Sequence, residues 1–345
     1  MRLVRVVRLA LIGFGTVGRS LAKLVALKNK LIEEKYGVRL SIVAVADSGG
    51  AVVKEDGLTP YELLRLCELP RSAMSTFTPY GLPGAGVREI YSRVLPDIHV
   101  EATPSNYVDG EPGVSNVLYA LESGVHVVSC NKAPFVLRYR DVMDSASRKG
   151  VKVGFKATVM AGTPLIDLLM SLKGYEVEGL EGILNGTTNF ILTEMHENLV
   201  TYEEALKKAQ LMGIAESNPD LDVKGWDPAA KLVIISNVLG KPVKLGDVVR
   251  EDLSRLDVRE VFMAVKEGSV FKFIAALDLR EGRASVKLIK VPREDVFASV
   301  TGTLNAVRIR TDVNEITIVG KGAGGPETAH SVLDDVLTVA QEVRS

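Results

Sequence analysis

The sequence predicts a two-domain α/β protein: an open, mostly parallel sheet wound with helices on both faces, followed by an α+β domain with a mixed sheet. Three observations carry this. Apolar runs and amphipathic helical runs alternate through the first 150 residues, as a series of β-α-β units requires. The first apolar run ends in the glycine-rich turn Gly13-Phe14-Gly15-Thr16-Val17-Gly18. After about residue 156 the rhythm gives way to polar breaks and, over 270–319, to strand-like alternation. The expected division is residues 1–155 with 320–345 in the first domain and 156–319 in the second.

Residues 5–14 form a continuous apolar run, as a strand buried on both faces does. Basic residues precede it in the manner of a secretory leader, but Arg5 and Arg8 interrupt it and it feeds the glycine turn, so it reads as a strand. Residues 16–36 have helical spacing, and 39–47 are a second buried strand. Residues 48–92 are broken by Gly, Pro and Ser, with one helical patch at 60–69. A strand at 97–103, a helix at 112–123, a strand at 124–131, a helix at 139–150 and a strand at 150–160 complete the alternation. Beyond it, residues 180–195 mix a strand with a polar break, and 201–216 and 228–240 read as helices. Strands follow at 270–279, 284–291 and 314–320, and the tail reads as a closing helix.

Lys and Arg number 42 against 43 Asp and Glu, a balance that points neither to nucleic acid nor to an anionic membrane. No segment approaches the ~20 apolar residues of a membrane span. Two cysteines, Cys67 and Cys130, give neither a disulfide framework nor a metal-ligand spacing; a reducing, cytoplasmic setting is expected.

The glycine turn sits between a strand and a helix, which is the context that gives Gly-x-Gly-x-x-Gly its meaning. Gly13 makes the turn, Gly15 lets a pyrophosphate approach the backbone, and Gly18 packs helix on strand; the helix start offers free N–H groups to phosphate. Phe14, Thr16 and Val17 complete this candidate cofactor loop of a Rossmann domain. Asp47 ends the second strand, where such a domain places the acid that binds ribose hydroxyls. A carboxylate there favours NAD over NADP. Ser48, Gly49 and Gly50 supply no cation for a 2′-phosphate, which leaves Arg39 or Lys54. Lys132, in Ser-Cys-Asn-Lys-Ala-Pro, follows a strand and so reaches the carboxyl edge of the sheet, where ligands bind.

The stretch 216–231, ESNPDLDVKGWDPAAK, gathers Glu216, Asp222, Asp227 and Lys231. Read locally, Asp227 and Pro228 are an N-cap and a first-turn proline, and Asp227 with Lys231 is an i,i+4 ion pair worth roughly 0.2–0.5 kcal/mol. Read as chemistry, the same residues are a polar wall beside a lysine able to exchange a proton.

The motifs GFGTVG, NKAP, ATVMAGTP, GILNGTTNFIL, GIAESNPDLDVKGWDPAAK and GKGAGG, in that order, resemble those of the homoserine dehydrogenase family. The resemblance runs from about residue 8 to the end of the chain. It implies NAD(P)-dependent interconversion of L-homoserine and L-aspartate 4-semialdehyde, in the biosynthesis of threonine, methionine and isoleucine. It also implies a Rossmann domain joined to a catalytic domain whose sheet makes a homodimer. By position it makes Lys231 and Lys132 the essential lysines, with Lys231 exchanging the proton and Asp227 beside it. Glu216, Asp222, Gly186 and Thr187 fall on the substrate pocket. Thr103 and Pro104 fall on the loop passing the nicotinamide, where relatives often carry Ser-Ser, and Gly324 on the late glycine near the cofactor.

Two departures matter. Lys156 stands where the family has a glutamate that helps bind a sodium or potassium ion, so no monovalent metal is expected at Val159, Ala161 and Thr163. Asn218 stands where Asp is frequent. No C-terminal ACT-type regulatory module is expected. Two alternatives remain open on the residues: a nucleotide sensor without turnover, and an acylating aldehyde dehydrogenase using Cys130 as nucleophile.

Overall fold

The computed structural model describes residues 4–342, which divide into two units: residues up to Thr158 together with those from Gly325, and Val159–Gly324. In the first unit the strands β1 (Arg5–Ile12), β2 (Val38–Asp47), β3 (Gly50–Val53), β4 (Gly81–Pro83), β5 (Ile98–Glu101), β6 (His126–Ser129) and β7 (Val153–Gly154) form one sheet. Their spatial order is β4-β3-β2-β1-β5-β6-β7. The five strands from β2 to β7 across the sheet run parallel, while β3 and β4 are antiparallel additions. The first five long helices are α1 (Thr16–Tyr36), α2 (Pro60–Glu68), α3 (Val87–Arg93), α4 (Gly113–Glu122) and, after the short α5 (Ala133–Leu137), α6 (Tyr139–Lys149).

Chain direction across the sheet reverses at β1: β2 lies on one side of it and β5 on the other. With right-handed crossovers, that reversal puts α1 and α4 on opposite faces. It also opens a crevice between the carboxyl ends of β1 and β5. Register brings the strand ends level, since Ile12 pairs with Glu101 and with Ala46, and Glu101 pairs with Ser129. Everything that follows these residues therefore emerges along one edge. The strand expected over 150–160 is shorter than the sequence suggests, β7 giving way to a 3-10 turn at Lys156–Thr158.

The second unit carries α7 (Leu165–Ser171), β8 (Val177–Ile183), α8 (Gly186–Asn198), α9 (Tyr202–Leu211), α10 (Asp220–Val223), α11 (Trp226–Val238), β9 (Val249–Arg250), α12 (Val258–Lys266), β10 (Ser269–Asp278), β11 (Arg283–Pro292), β12 (Leu304–Thr311) and β13 (Glu315–Lys321). Its sheet runs β13-β12-β8-β10-β11-β9, antiparallel except where β9 joins β11. Helix α8 lies on β10 and β12, and α11 on β10 and β11. Both are buried almost all round, the pattern of helices enclosed by their own domain. The polar break expected within 180–195 is in fact the start of α8.

The chain then returns to the first unit as α13 (Gly325–Glu342), which packs along α1 and reaches β6 and β7. Its Val332, Val336 and Val339 join Val7, Leu9, Leu21 and Ile42 in one apolar core. No helix among the described residues is long and apolar enough to cross a membrane.

Candidate active site

In the first unit the candidate cofactor loop fills the gap between β1 and α1. Gly13 sits at φ +99°, and a Cβ there would stand 2.3 Å from the carbonyl carbon of Ala102, so only glycine lets the two loops of the crevice touch. A Cβ on Gly18 would stand 2.3 Å from the Gly13 oxygen, whereas one on Gly15 would meet nothing within 4 Å. Helix α1 has Gly15 as its cap, no capping side chain and no acid in its first turn. The helix start therefore keeps its partial positive charge unopposed by a capping side chain or a first-turn acid, an arrangement that fits a pyrophosphate. Phe14 is buried, while Thr16 and Val17 open the helix itself. Thr16 also meets the start of α13, where a Cβ on Gly325 would lie 2.5 Å from its methyl carbon.

Asp47 closes β2 with one oxygen accepting the Gly49 N–H at 2.9 Å and the other facing the Met74 N–H at 3.4 Å. The two cations considered for a 2′-phosphate are engaged elsewhere. Arg39 pairs with Glu33 at 2.7 Å, and Lys54 with Glu62 at 2.8 Å.

Beyond β5, the loop of Thr103, Pro104 and Ser105 is stitched to the turn that carries Lys132. The Asn131 amide donates to the Thr103 hydroxyl at 3.0 Å, and the Lys132 N–H donates to the Ser105 hydroxyl at 2.9 Å. Beneath them lies Glu101, fully buried. It accepts from the Thr103 N–H at 2.9 Å and its hydroxyl, from Asn116 at 3.1 Å, and meets His99 at 3.2 Å. Neither Glu101 nor Asn131 was singled out by the sequence reading. The Cys130 thiol is pushed up to about 12, chiefly by burial, so it is not a thiolate at neutral pH.

In the second unit β8 runs into α8 through Leu184 and Asn185, facing the first turns of α11. Lys231, only 5% exposed, donates its ammonium to the Asp227 carboxylate at 2.7 Å and to the Leu184 carbonyl at 2.5 Å. The expected N-cap at Asp227 is corrected here. Helix α11 begins two residues earlier, at Trp226 after Gly225 in the left-handed conformation at φ +73°, with no side-chain cap. Trp226 then lies under the Arg250 guanidinium, 3.7 Å from the ring centre. Asp227 points across to Lys231 and Asn185, and the i,i+4 pair is buried instead of solvated.

Asn185 donates to Asp222 at 2.7 Å and to Asp227 at 2.9 Å. Burial raises the Asp222 carboxyl above the ordinary range, and the charge of Asp227 adds to this; Asn185, Lys231 and Thr187 oppose it. Gly186 opens α8 with no room for a side chain, since a Cβ would lie 2.8 Å from the Thr303 oxygen. Thr187 follows, its hydroxyl on the Ile214 carbonyl at 3.2 Å. Glu216 is exposed on the stretch before α10 and makes none of these contacts among the described residues. Asn185, which joins these acids to α8, carries one sequence signal: an Asn three residues before a helical threonine, the N-cap spacing.

Later in the unit, Gly324 stands at φ +124°. Lys156, in the first unit, holds Asp334 at 2.9 Å and approaches Asp335 at 3.8 Å. Among the described residues no group of three or more His, Cys, Asp or Glu is placed to hold a metal ion.

Two family models match the chain: "Homoserine dehydrogenase, NAD binding domain" over residues 13–156 and "Homoserine dehydrogenase" over residues 164–337. A homoserine dehydrogenase of Methanocaldococcus jannaschii is 35% identical, covering 95% of this chain and 97% of its own. An NAD(+)-dependent homoserine dehydrogenase of Pseudomonas canavaninivorans is 36% identical, covering 97% and 96%. Among solved structures, a putative homoserine dehydrogenase of Archaeoglobus fulgidus aligns with TM-score 0.85 at 33% identity, covering 96% of this chain and 99% of its own. A hyperthermophilic archaeal homoserine dehydrogenase in complex with NADPH aligns with TM-score 0.82 at 28% identity, covering 98% of each chain.

Proposed function

This chain belongs to the homoserine dehydrogenase family, and we propose that it interconverts L-homoserine and L-aspartate 4-semialdehyde with NAD or NADP. The observation that carries the reading is the buried Lys231 ammonium, held by Asp227 and Leu184 beside the carboxylate of Asp222. A bound nicotinamide supplies the hydride acceptor or donor. The chain's own residues must move the hydroxyl proton and hold the amino acid. Two of the three donors on the Lys231 Nζ are taken by protein oxygens, and the third is assigned to the reacting substrate oxygen. Lys231 gives that oxygen a proton as aldehyde becomes alcohol and takes it back in the reverse direction.

Asp222 and Asp227 place two carboxylates against one ammonium, so a cationic ligand group completes the charge balance. The α-ammonium of homoserine is such a group, and Asp222 with Glu216 is assigned to it. Gly186 and Thr187 offer backbone and hydroxyl groups at the start of α8. Lys132, anchored through Ser105, is assigned to the substrate oxygen from the sheet edge, and Thr103 and Pro104 to the nicotinamide. The loop from Gly13 to Gly18 and Gly324 are assigned to the cofactor, with Asp47 on its ribose. With Arg39 and Lys54 each held by a glutamate, Asp47 favours NAD. Because Lys156 stands where the family has a glutamate that helps bind the ion, activity is expected without sodium or potassium. A cytoplasmic homodimer completes the reading.

The test is to follow NADH and NADPH formation with L-homoserine. The parent protein is expected to reduce NAD faster than NADP. Lys231→Ala is expected to fall by about 10²–10⁴-fold in kcat, the span of a lost general acid–base group, and Lys132→Ala to fall as well. A parent protein that reduces neither cofactor ends the proposal.

A further inference from the structure

The side chain that ties the second-unit cluster together is Asn185, and neither acid-base chemistry nor substrate charge calls for it. Both of its amide N–H groups and its oxygen are engaged. The oxygen accepts the Thr188 N–H at 2.9 Å and so caps α8. The nitrogen donates to Asp222 at 2.7 Å and to Asp227 at 2.9 Å. The residue is 5% exposed, and the two roles fix the amide in one orientation: flipped, its oxygen would face two carboxylates and its N–H groups a backbone N–H. One side chain thus joins the end of β8, the start of α8, the short α10 and the first turn of α11.

We propose that Asn185 is a positioning residue for the proposed reaction, holding the Asp222 and Asp227 carboxylates side by side and thereby directing Lys231 and Asp222 at the substrate. Two like charges in a buried site repel, and each would turn away or take up a proton without a neutral donor between them. The amide supplies that donor while adding no charge: it keeps Asp227 on Lys231 and opposes the rise that burial and Asp227 impose on the Asp222 carboxyl. The groups facing Asp222 are Asp227 and Lys231 from α11, and the neutral Asn185 and Thr187 from α8; Asp220 on its own helix is exposed to solvent with Lys224 at 2.8 Å. This rests on the assignment of Lys231 and Asp222 under the proposed function.

The capping and bridging roles separate by substitution. Asn185→Ser keeps an oxygen for the Thr188 N–H and loses the bridging N–H groups; Asn185→Ala loses both; Asn185→Asp keeps the cap and sets a third carboxylate against the other two. For Asn185→Ser we expect a thermal midpoint close to the parent's and an unchanged KM for the cofactor. Its kcat/KM for homoserine is expected to fall by about tenfold or more, with the acidic limb of the pH profile moved to higher pH, because the ionised Asp222 has lost a hydrogen bond. Asn185→Asp is expected to move that limb further. A serine variant that folds and keeps the parental kcat/KM and pH profile overturns the proposal. Titration of the Asp222 carboxyl by ¹³C NMR reads the same claim without turnover: it rises in Asn185→Ser if the bridge matters and stays put if it does not. A parent protein inactive on homoserine therefore sinks the substrate assignment separately from the bridge.

Discussion

At the scale of single residues, the glycines of the first loop divide by what a methyl group would meet. On Gly18 it would collide with the Gly13 oxygen; on Gly15 it would find only open space. Gly18→Ala is expected to lower stability by about 1–3 kcal/mol, as overpacking does. Gly15→Ala is expected to cost less than about 1 kcal/mol in stability while weakening NADH binding at least tenfold, read by thermal melting beside fluorescence titration. A different kind of residue-scale effect sits at Lys272 on β10. Burial lowers its amine to about 8, and it donates to the Val300 carbonyl at 2.6 Å and to Asn189 at 3.2 Å. Its unfolded value is near 10.5, so the unfolded chain binds the extra proton and charging Lys272 penalises the fold below pH 8. The penalty lifts as pH rises toward 10. The stability of the parent relative to Lys272→Met is therefore expected to improve by about 2 kcal/mol between pH 8 and 10, measured by urea unfolding. The motifs made Lys231, Asp222 and Asp227 legible because they fall within ten residues of one another. Asn185 was not legible, since only the fold brings the end of β8 to α11.

At the scale of elements, α11 shows how a helix start can place chemistry. Gly225 supplies the left-handed turn, and a Cβ there would also lie 3.2 Å from Val286. Gly225→Ala is expected to destabilise by about 1–2 kcal/mol and to lower kcat further than that loss implies, because it turns Asp227 relative to Asn185. Denaturant unfolding and kinetics on the same sample check both halves. The parallel strands were legible as short Val-, Ile- and Ala-rich runs, and α1 because the first of those runs ends in the glycine turn. Helix α8 was not: it opens with Gly186, Thr187, Thr188 and Asn189, poor helix formers, and its near-complete burial erases the one-sided apolar stripe that marks a surface helix. Tertiary packing and the Asn185 cap override weak local preference there. The same reason hid the early start of α11, whose left-handed Gly225 outweighs the Asp-Pro signal two residues on.

At the scale of the whole molecule, the glycine turn and the β-α-β rhythm implied the first sheet. The antiparallel strands β3 and β4 fell in the stretch the sequence left unordered. The second sheet was legible as alternation but not as an order, because its neighbours β8 and β12 are far apart in the chain. The proposed homodimer predicts twice the chain mass by sedimentation equilibrium at micromolar concentration; a monomer under those conditions would contradict it. One further consequence belongs to the return of α13. The seven strands of the first sheet are all made before residue 159, and the helix that completes their core only after residue 324. At ~5–20 residues per second, a ribosome spends on the order of ten seconds or more building the second unit in between. Throughout that interval the nascent sheet lacks Val332, Val336 and Val339, so the nucleotide-binding unit completes its core only once α13 has been made and is exposed to chaperones until then.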